Sequence, residues 1–193
     1  MGQDPAVGPF MRMKGNRGFV VNSWRWRLDK KLAGGGPMMD IGIYINHGAC
    51  MAARGEAPTF VTAEHIPVTK PEFFKEVEQG TRYTLEFANG ARSEAFTSYA
   101  HSSDTFRAES DKGFIEFKEK AFTYRGAIVE THKGPLSFGP YVNQQALQMD
   151  DFAQCVRDGR ETRVPGELGR RDLVIIEAIY EAARTGKRVA VKG

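Results

Sequence analysis

Hydrophobic and polar residues alternate with a period of two along the middle of the chain. The clearest run is 82–88, whose large apolar positions are Tyr83, Leu85 and Phe87. Such alternation is typical of a strand that is buried on one face only. Asn89 and Gly90 follow, a pair that favours a two-residue hairpin loop, so we expect the segment 91–99 to return antiparallel.

Further segments with strand patterns lie on both sides of this hairpin. They are Phe19–Trp26, Thr59–Val68, Thr105–Ser110, Phe114–Glu119 and Ala121–Glu130. The turn residues Asp111–Gly113 predict a second hairpin between two of these segments. Together the segments predict a mostly antiparallel sheet of about six to eight strands.

Helical periodicity is found in three segments: Pro37–Ala53, Asn143–Asp158 and Glu167–Thr185. In the last of these, apolar residues recur at the spacing of a buried face, and Gly186 follows as a C-terminal cap. The chain is therefore predicted to have an α+β fold, an open, mostly antiparallel sheet with about three helices on one face. For the other face we predict burial against a second copy of the chain. A polar face in contact with water is the alternative.

A glycine-rich segment, AGGGPMMDIGIYIN, spans residues 33–46. Pro37 fits the first position of a helix, and the glycines before it permit a close approach that a Cβ would block. On this helix Asp40 and Tyr44 lie four residues apart on one face, with His47 about one turn further along. The segment therefore presents a carboxylate and a phenol to the same side.

This carboxylate and phenol form a candidate catalytic pair. A tyrosine has an ordinary pKa of about 10, so it needs a cationic neighbour or a nicotinamide cofactor to act as a base at neutral pH. With such help, Tyr44 takes the hydroxyl proton of an alcohol while the carbon-bound hydrogen leaves as hydride, and Asp40 orients it or holds a substrate hydroxyl. Gly42, between Asp40 and Tyr44, leaves room for something to lie close to the backbone. The alternative is that Asp40 only favours the helix dipole and that Tyr44 is half-buried packing.

The segment Trp26–Asn46, WRLDKKLAGGGPMMDIGIYIN, resembles the start of the C-terminal domain of the Gfo/Idh/MocA oxidoreductases, most closely in the glucose-fructose oxidoreductases. Three later segments resemble that family's closing helices. They are Asn143–Val156, Pro165–Glu167 and Ile179–Gly186. The resemblance thus covers most of the chain in order, while the middle strands match only in pattern.

The resemblance implies a sugar or polyol oxidoreductase that uses NAD or NADP and assembles as a homo-oligomer. At the matching positions, Tyr44 is the family's proposed acid/base, and Asp40 lines the same sugar site. Candidate substrate-binding residues are Trp26, Arg27, His47, Asn143 and Gln144. Of these, Arg27 binds either sugar hydroxyls or a cofactor phosphate.

Two groups of residues keep both a structural and a functional interpretation. Tyr141, Asn143 and Gln144 follow the loop Gly134–Pro140, which would cover the site as a flap, but Asn143 is equally suited to cap a helix. A second group near a strand end either packs within the sheet or lines a sugar pocket: Phe96, Tyr99 and His101.

The Rossmann half of such an enzyme is not visible in this sequence. No G-x-G-x-x-G occurs, and the Gly34–Gly36 cluster lacks the third glycine at the required spacing. The family's lysine lies in a Glu-Lys-Pro triplet, which neither Lys70 nor Lys120 reproduces. We therefore expect hydride transfer to require a missing N-terminal Rossmann domain, with no cofactor bound to this chain alone and no turnover by it. The alternative is a stand-alone, non-catalytic carbohydrate-binding or dimerisation module.

Composition narrows the class of protein. The 193 residues suffice for one domain, which we place at 18–193, and the glycine-rich, basic segment 1–17 is predicted to be tag-like or flexible. The net charge of +3 gives no reason to expect nucleic acid or a membrane as partner. Cys50 and Cys155 are expected to be reduced thiols of a cytoplasmic protein, although an export signal belonging to the missing half would alter that location. His47 and Cys50 have no second pair of ligands, so no metal is expected.

Overall fold

A computed structural model describes residues 8–124, 126–136 and 143–192, and within them the chain forms one nine-stranded sheet and four α-helices. The strands are β1 (Arg12–Gly18), β2 (Phe60–His65), β3 (Gly80–Glu86), β4 (Arg92–Ser98), β5 (Ser103–Ser110), β6 (Gly113–Glu119), β7 (Ile128–Thr131), β8 (Gly134–Leu136) and β9 (Val189–Ala190). The helices are α1 (Lys30–Ala33), α2 (Ile43–Ala52), α3 (Gln144–Asp158) and α4 (Gly166–Thr185). Tyr141, most of the predicted flap loop and the first seven residues lie outside the described residues.

The strand order is β8-β7-β6-β5-β1-β4-β3-β2-β9, and every neighbouring pair is antiparallel except β1 with β4. The predicted α+β class with an open, mostly antiparallel sheet is therefore confirmed. The sheet is larger than predicted because the short strands β8 and β9, of three and two residues, extend its two edges.

The central strand β1 lies where the sequence predicts a flexible segment. Residues 12–17 pair on both sides, with β4 and with β5, so the prediction of a flexible segment through residue 17 is wrong there. Phe19–Trp26, predicted as the first strand, is not a strand: it follows β1 as an irregular segment that ends in a 3₁₀ turn at Trp26–Leu28. The hydrophobic signal of β1 is weak because Gly15 carries no side chain and leaves its space to Ile45 of α2.

Both predicted hairpins are present. The β3–β4 loop has three residues, 88–90, instead of two, with Gly90 in the left-handed conformation and its N–H donating to the Phe87 carbonyl. The β5–β6 loop has two residues, Asp111 and Lys112. The strand predicted over 121–130 is mostly wrong.

The chain leaves the sheet after β6 because Lys120 adopts a left-handed conformation. The N–H groups of the next two residues then donate to Asp104, that of Ala121 to the carbonyl and that of Phe122 to the carboxylate. Only Ile128–Thr131 pairs again, as β7. This turn places Phe122 beside the helical side of the sheet.

Helices α2 and α4 cover one face of the sheet. Helix α2 packs on β1 and β5, and α4 packs on β2 and β9 through the fully buried Ile175, Ile176 and Ile179. Gly186 ends α4 in the left-handed conformation, as predicted. Helix α3 leaves most of its surface exposed, and Cys155 is its only buried residue among those described.

The opposite face of the sheet carries charges instead of an apolar surface. Three outward-facing phenylalanines each lie beneath an arginine, with ring-to-guanidinium distances of 3.4 to 5.5 Å: Phe60 under Arg188, Phe96 under Arg82, and Phe114 under Arg107. Ion pairs such as Arg107 with Glu116 link neighbouring strands. Such a charged surface resembles the alternative prediction, a polar face in contact with water. Burial of this face against a second copy stays a prediction.

The helix that carries Asp40 and Tyr44 begins at Pro37 as predicted, with one π-helical turn, Met38–Gly42, before α2. Its first N–H groups are satisfied by Glu78, whose carboxylate accepts from Gly36 and Met38 at 3.0 Å each. A Cβ at Gly36 would collide with the Glu78 backbone, so glycine is required for this approach. We call this residue 37–52 unit the motif helix.

Glu78→Gln is expected to lower the free energy of unfolding by about 1–3 kcal/mol, because the amide nitrogen would face a backbone donor and the remaining hydrogen bonds would lose their charge. Urea unfolding measures the change. Glu72→Gln, an exposed carboxylate six positions earlier, is the control and should stay within about 0.5 kcal/mol of the parent. Equal stability of the two variants would contradict the capping role.

Candidate active site

Asp40 is held by two donors from distant parts of the chain. Its Oδ2 accepts from the Arg27 Nε at 3.0 Å and from the Tyr99 hydroxyl at 2.7 Å. Tyr99 is fully buried, and burial, together with its hydrogen bond to Asp40, raises the pKa of its hydroxyl. The phenol therefore keeps its proton and donates it, so Asp40 is a fixed, negatively charged acceptor.

An exposed tryptophan, Trp26, lies beside the arginine that binds this carboxylate. The 3₁₀ turn Trp26–Leu28 brings Arg27 to Asp40, and the Arg27 guanidinium lies 4.6 Å from the centre of the Trp26 ring. Trp24 and Trp26 are 65% and 51% exposed and are the only tryptophans in the chain. Aromatic faces of this kind stack against the apolar faces of ligands while polar groups at their edge fix orientation.

Tyr44 is 43% exposed, and its ring is held by two neighbours. The Arg17 guanidinium lies 4.3 Å from the ring centre, and the Phe122 ring lies 6.3 Å away. In the described part of the chain its hydroxyl forms no hydrogen bond, so this group is available to a ligand.

Asp40 and Tyr44 face the same end of the sheet, because Tyr99 follows the end of β4 and Arg17 lies near the end of β1, which pairs with β4 in parallel. Arg17 is the last residue but one of β1, and Phe19 follows the strand and packs on Tyr99 at 4.9 Å between ring centres. A cleft of about 600 Å³ opens at this end and is lined by Arg17, Phe19 and Asp104, among others. The residues that line this cleft include neither Asp40 nor Tyr44, and its link to them is Arg17, which contacts the Tyr44 ring.

Other side chains of the protein lie close to the backbone at Gly42. A Cβ at this position would collide with the Cε of Met38 and would contact Thr97 at 3.4 Å, so the space beside the glycine is already filled by protein. Gly42 is needed for packing of the motif helix on β4, and it leaves no room for a ligand.

His47 lies apart from the other candidates. Its Nδ1 is 2.8 Å from the Oδ2 of Asp172, a buried residue of α4 that also accepts from Arg171. This contact joins the motif helix to α4. Nearby, burial raises the pKa of the Cys50 thiol to about 12. Among the described residues, no group of three His, Cys, Asp or Glu side chains could hold a metal ion.

Asn143 and Gln144 begin α3. The Asn143 carboxamide accepts from the N–H of Ala146 as an N-cap, and the Gln144 side chain donates to the Tyr124 carbonyl. None of the hydrogen bonds of these two residues that involve described residues reaches Asp40 or Tyr44. Their substrate-binding role stays a prediction.

Two residues of the site, Arg17 and Glu78, are not found by sequence reasoning. Arg17 lies in the segment predicted to be flexible, and Glu78 lies in a loop without periodicity, 42 positions from Gly36. Each is a lone charged residue without a motif around it. Tyr99, which the sequence leaves between packing and site lining, is fully buried and donates to Asp40.

Comparison with known proteins decides the family. The model of the GFO/IDH/MocA C-terminal domain matches residues 6–116, more than half of the chain. The chain belongs to the Gfo/Idh/MocA family. The match includes β1, the motif helix and every described residue around Asp40 and Tyr44 named above except Phe122.

Solved and curated members of the Gfo/Idh/MocA family extend this similarity. The aldose-aldose oxidoreductase from Caulobacter crescentus, crystallised with glycerol, is 34% identical, with a TM-score of 0.90 over 97% of this chain and 57% of its own. The D-xylose 1-dehydrogenase [NADP(+)] of Haloarcula marismortui is 24% identical over 86% of this chain and 46% of its own. Levoglucosan dehydrogenase with NADH and levoglucosan, at 22% identity and a TM-score of 0.80, shares the fold.

The chain spans about half the length of these relatives, 46% of the xylose dehydrogenase and 57% of the aldose-aldose oxidoreductase. The part that it matches is the C-terminal domain, as the sequence predicts. No helix among the described residues is long and apolar enough to cross a membrane.

The glycine cluster of this Gfo/Idh/MocA domain does not fit a dinucleotide phosphate. Phosphates bind to free N–H groups at a helix N-terminus. Here the N–H groups of Gly36 and Met38 already donate to the Glu78 carboxylate, and the Tyr180 hydroxyl donates to the same carboxylate at 3.0 Å. A phosphate at this position would have to displace a carboxylate that carries the same sign of charge.

Tyr99→Phe is expected to lower the free energy of unfolding by about 1–2 kcal/mol, because Asp40 loses a buried donor. Urea unfolding measures the difference. Tyr124→Phe removes the hydroxyl of an exposed tyrosine and should stay within about 0.5 kcal/mol of the parent. If Tyr99→Phe were as stable as this control, the hydrogen bond would not be what holds Asp40 in place.

Proposed function

We propose that this chain is the substrate-binding and oligomerisation domain of an NAD(P)-dependent sugar or polyol oxidoreductase, similar to glucose-fructose oxidoreductase. The observation that carries the proposal is the fixed Asp40 carboxylate beside the half-exposed Tyr44, both on the family's motif helix. One group is built to accept hydrogen bonds from hydroxyls, and the other presents a hydroxyl that forms no hydrogen bond to the described residues.

The substrate class follows from the chemistry of the site and from its relatives. A fixed carboxylate, an arginine and exposed tryptophan faces suit a polyhydroxylated ring, which offers hydroxyl donors and an apolar C–H face. Relatives named for aldoses and D-xylose support this class. In the proposed site Asp40, Arg27 and Trp26 bind the sugar, with His47, Asn143 and Gln144 as further candidates.

Tyr44 acts as the proton-transfer group in this proposal. Its hydroxyl exchanges a proton with the reacting substrate hydroxyl, while Asp40 holds a neighbouring hydroxyl and so orients the reacting carbon. The hydride chemistry belongs to NAD or NADP in the intact enzyme, held by a nucleotide-binding domain that this chain does not contain. We therefore expect the isolated chain to bind no dinucleotide and to turn over no substrate.

The surface of α3 supports a contact with such a domain. Met149, Phe152 and Val156 recur at helical spacing on one side of α3 and are 57% to 69% exposed. Contiguous exposed apolar residues mark interaction sites in soluble proteins. In the proposed enzyme this stripe is covered by the nucleotide-binding domain.

The open face of the sheet is the proposed homo-oligomer contact. Its charges have both signs on neighbouring strands, for instance Arg12 with Glu109 and Arg82 with Glu64. In the proposed assembly, a two-fold axis through this face is positioned so that positive residues of one copy lie opposite negative residues of the other. An assembly through this face would therefore weaken as the salt concentration rises.

A second candidate function is a stand-alone carbohydrate-binding or dimerisation module without catalysis. The observation in its favour is the glycine cluster, which binds the Glu78 carboxylate and leaves no phosphate site there. Both candidates predict sugar binding at Asp40, and they differ in whether Tyr44 takes part in turnover.

Sugar binding is tested on this chain by titration with D-glucose, D-xylose and glycerol, followed by tryptophan fluorescence. Because Trp26 lies beside Arg27 at the proposed site, a bound sugar should change the emission. Asp40→Asn is expected to weaken binding of the responding sugar at least about tenfold, or 1.4 kcal/mol, because the fixed charge is lost. Asp111→Asn, in the β5–β6 loop, is the control and should bind as the parent does.

Unchanged affinity in Asp40→Asn, with only a lower melting temperature, would mean that Asp40 serves the helix dipole. A parent chain that binds neither of the two sugars nor glycerol would contradict the proposed substrate site.

Turnover is tested in an enzyme form that joins this chain to a nucleotide-binding domain. Tyr44→Phe should lower kcat by about 10²–10⁴-fold while leaving the fold unchanged, because it removes only the hydroxyl that transfers the proton. Circular dichroism and steady-state kinetics measure the two effects, and Tyr124→Phe is the matched control. An unaffected kcat would reject the catalytic assignment and favour the binding module.

A further inference from the structure

We propose that Arg17 is the positioning residue of Tyr44: it fixes the tyrosine ring from the central strand of the sheet and places a positive charge against it. The inference rests on the proposed function in that it gives Tyr44 a role. The observation itself is geometric, a guanidinium 4.3 Å from the centre of the Tyr44 ring.

Arg17 is itself fixed at three points. Its backbone is part of β1 and pairs with Thr97 of β4 and Asp104 of β5. Its Nη1 donates to the Phe122 carbonyl at 2.7 Å and lies 3.6 Å from the Asp104 carboxylate. The side chains of Arg17 and Asp104 are only 18% and 23% exposed, so this arginine is not a mobile surface residue.

The second wall of the Tyr44 site belongs to the same network. Phe122 packs on Tyr44 and, edge to face, on Phe106 at 5.9 Å between ring centres. Its N–H donates to the Asp104 carboxylate at 3.1 Å. Asp104 therefore anchors both Arg17 and Phe122, and both of these residues contact the tyrosine ring.

The positive charge of Arg17 suits a phenol that transfers a proton. A phenol that gives up its proton at neutral pH requires a cation nearby. Arg17 is a cation that contacts the Tyr44 ring. A cation over an aromatic face is attracted to it, and the attraction grows as negative charge develops on the ring.

Geometry is the second part of the role. Tyr44 is 43% exposed, and its hydroxyl forms no hydrogen bond to described residues, so without Arg17 only Phe122 among the ring contacts would oppose rotation of the side chain. Proton transfer needs the donor within hydrogen-bond reach of the substrate hydroxyl, and a freely rotating phenol reaches it only part of the time. The planar guanidinium suits this task because it stacks on the ring and still donates to Phe122.

The test uses the 193-residue chain with ¹³C-labelled tyrosine and phenylalanine, observed by NMR. The chain has six tyrosines, so each ring can be followed separately, and the other five serve as internal controls. In Arg17→Met we expect the nuclear Overhauser contacts between Tyr44 and Phe122 to weaken and the native χ1 rotamer of Tyr44 to fall toward about one third of the population. Arg17→Lys keeps the charge and should restore part of the order.

Asp104→Asn is the second variant, needed if Arg17→Met does not fold. It keeps the Arg17 side chain but removes the carboxylate charge that pairs with it. The Tyr44–Phe122 contacts and the population of the native Tyr44 χ1 rotamer should therefore fall, but less than in Arg17→Met. Tyr44 contacts and rotamer that stay as in the parent, in whichever of these variants folds, would overturn the inference.

The outcome is separate from that of the proposed function, because this measurement involves no turnover. Disorder confined to Tyr44 in Arg17→Met supports the positioning role even where Tyr44→Phe leaves kcat unchanged, a result that would reject only the catalytic assignment. An unchanged Tyr44 ring rejects the positioning role and leaves the test of catalysis intact.

Discussion

The site depends on how the motif helix begins. The Glu78 carboxylate accepts from Gly36 and Met38, and the Thr97 hydroxyl donates to the Pro37 carbonyl at 3.1 Å, so the first turn is tied both to the loop before β3 and to β4. Unsatisfied N–H groups at a buried helix start are costly, and these bonds fix the helix in one position. The directions of Asp40 and Tyr44 follow from that position. Gly35 and Gly36 permit the approach because a Cβ at either would collide with Tyr180 or Glu78.

Elements with local signals are the ones that the sequence predicts. The β3–β4 hairpin, α4 with its glycine cap and the start of the motif helix all follow from residues within a few positions of one another. The central strand β1 is different. Of its residues only Met13 and Gly15 are buried, and β1 exists because β4 and β5 offer backbone partners on both sides. A pairing partner about eighty or more positions away leaves no periodicity in the strand itself, so β1 is missed.

The same distinction applies within the site. Asp40 and Tyr44 are predicted as site residues because they lie four residues apart in a recognisable segment. The residues that contact them belong to other segments of the chain. Tyr99 donates to Asp40 across 59 positions, and Arg17 reaches Tyr44 from β1. Gly42 is a residue for which the sequence indicates the close contact but not the identity of the neighbour. Its missing Cβ is a correct sign of close packing, but only the structure shows that the neighbour is Met38 and not a ligand.

Some polar groups around the site are hydrogen-bonded within the chain, and others are exposed. The helix start, the Asp40 carboxylate and the Arg17 guanidinium are all paired within the chain. The exposed groups nearby are of another kind: the Tyr44 hydroxyl and the faces of Trp24 and Trp26. Glycines before a helix serve phosphate binding when their N–H groups stay free. Here a carboxylate of the chain occupies them, so the same sequence feature stabilises the helix that carries the candidate chemistry. The Tyr44 hydroxyl, which forms no hydrogen bond to the described residues, and the exposed ring of Trp26 are the groups that we propose contact a substrate.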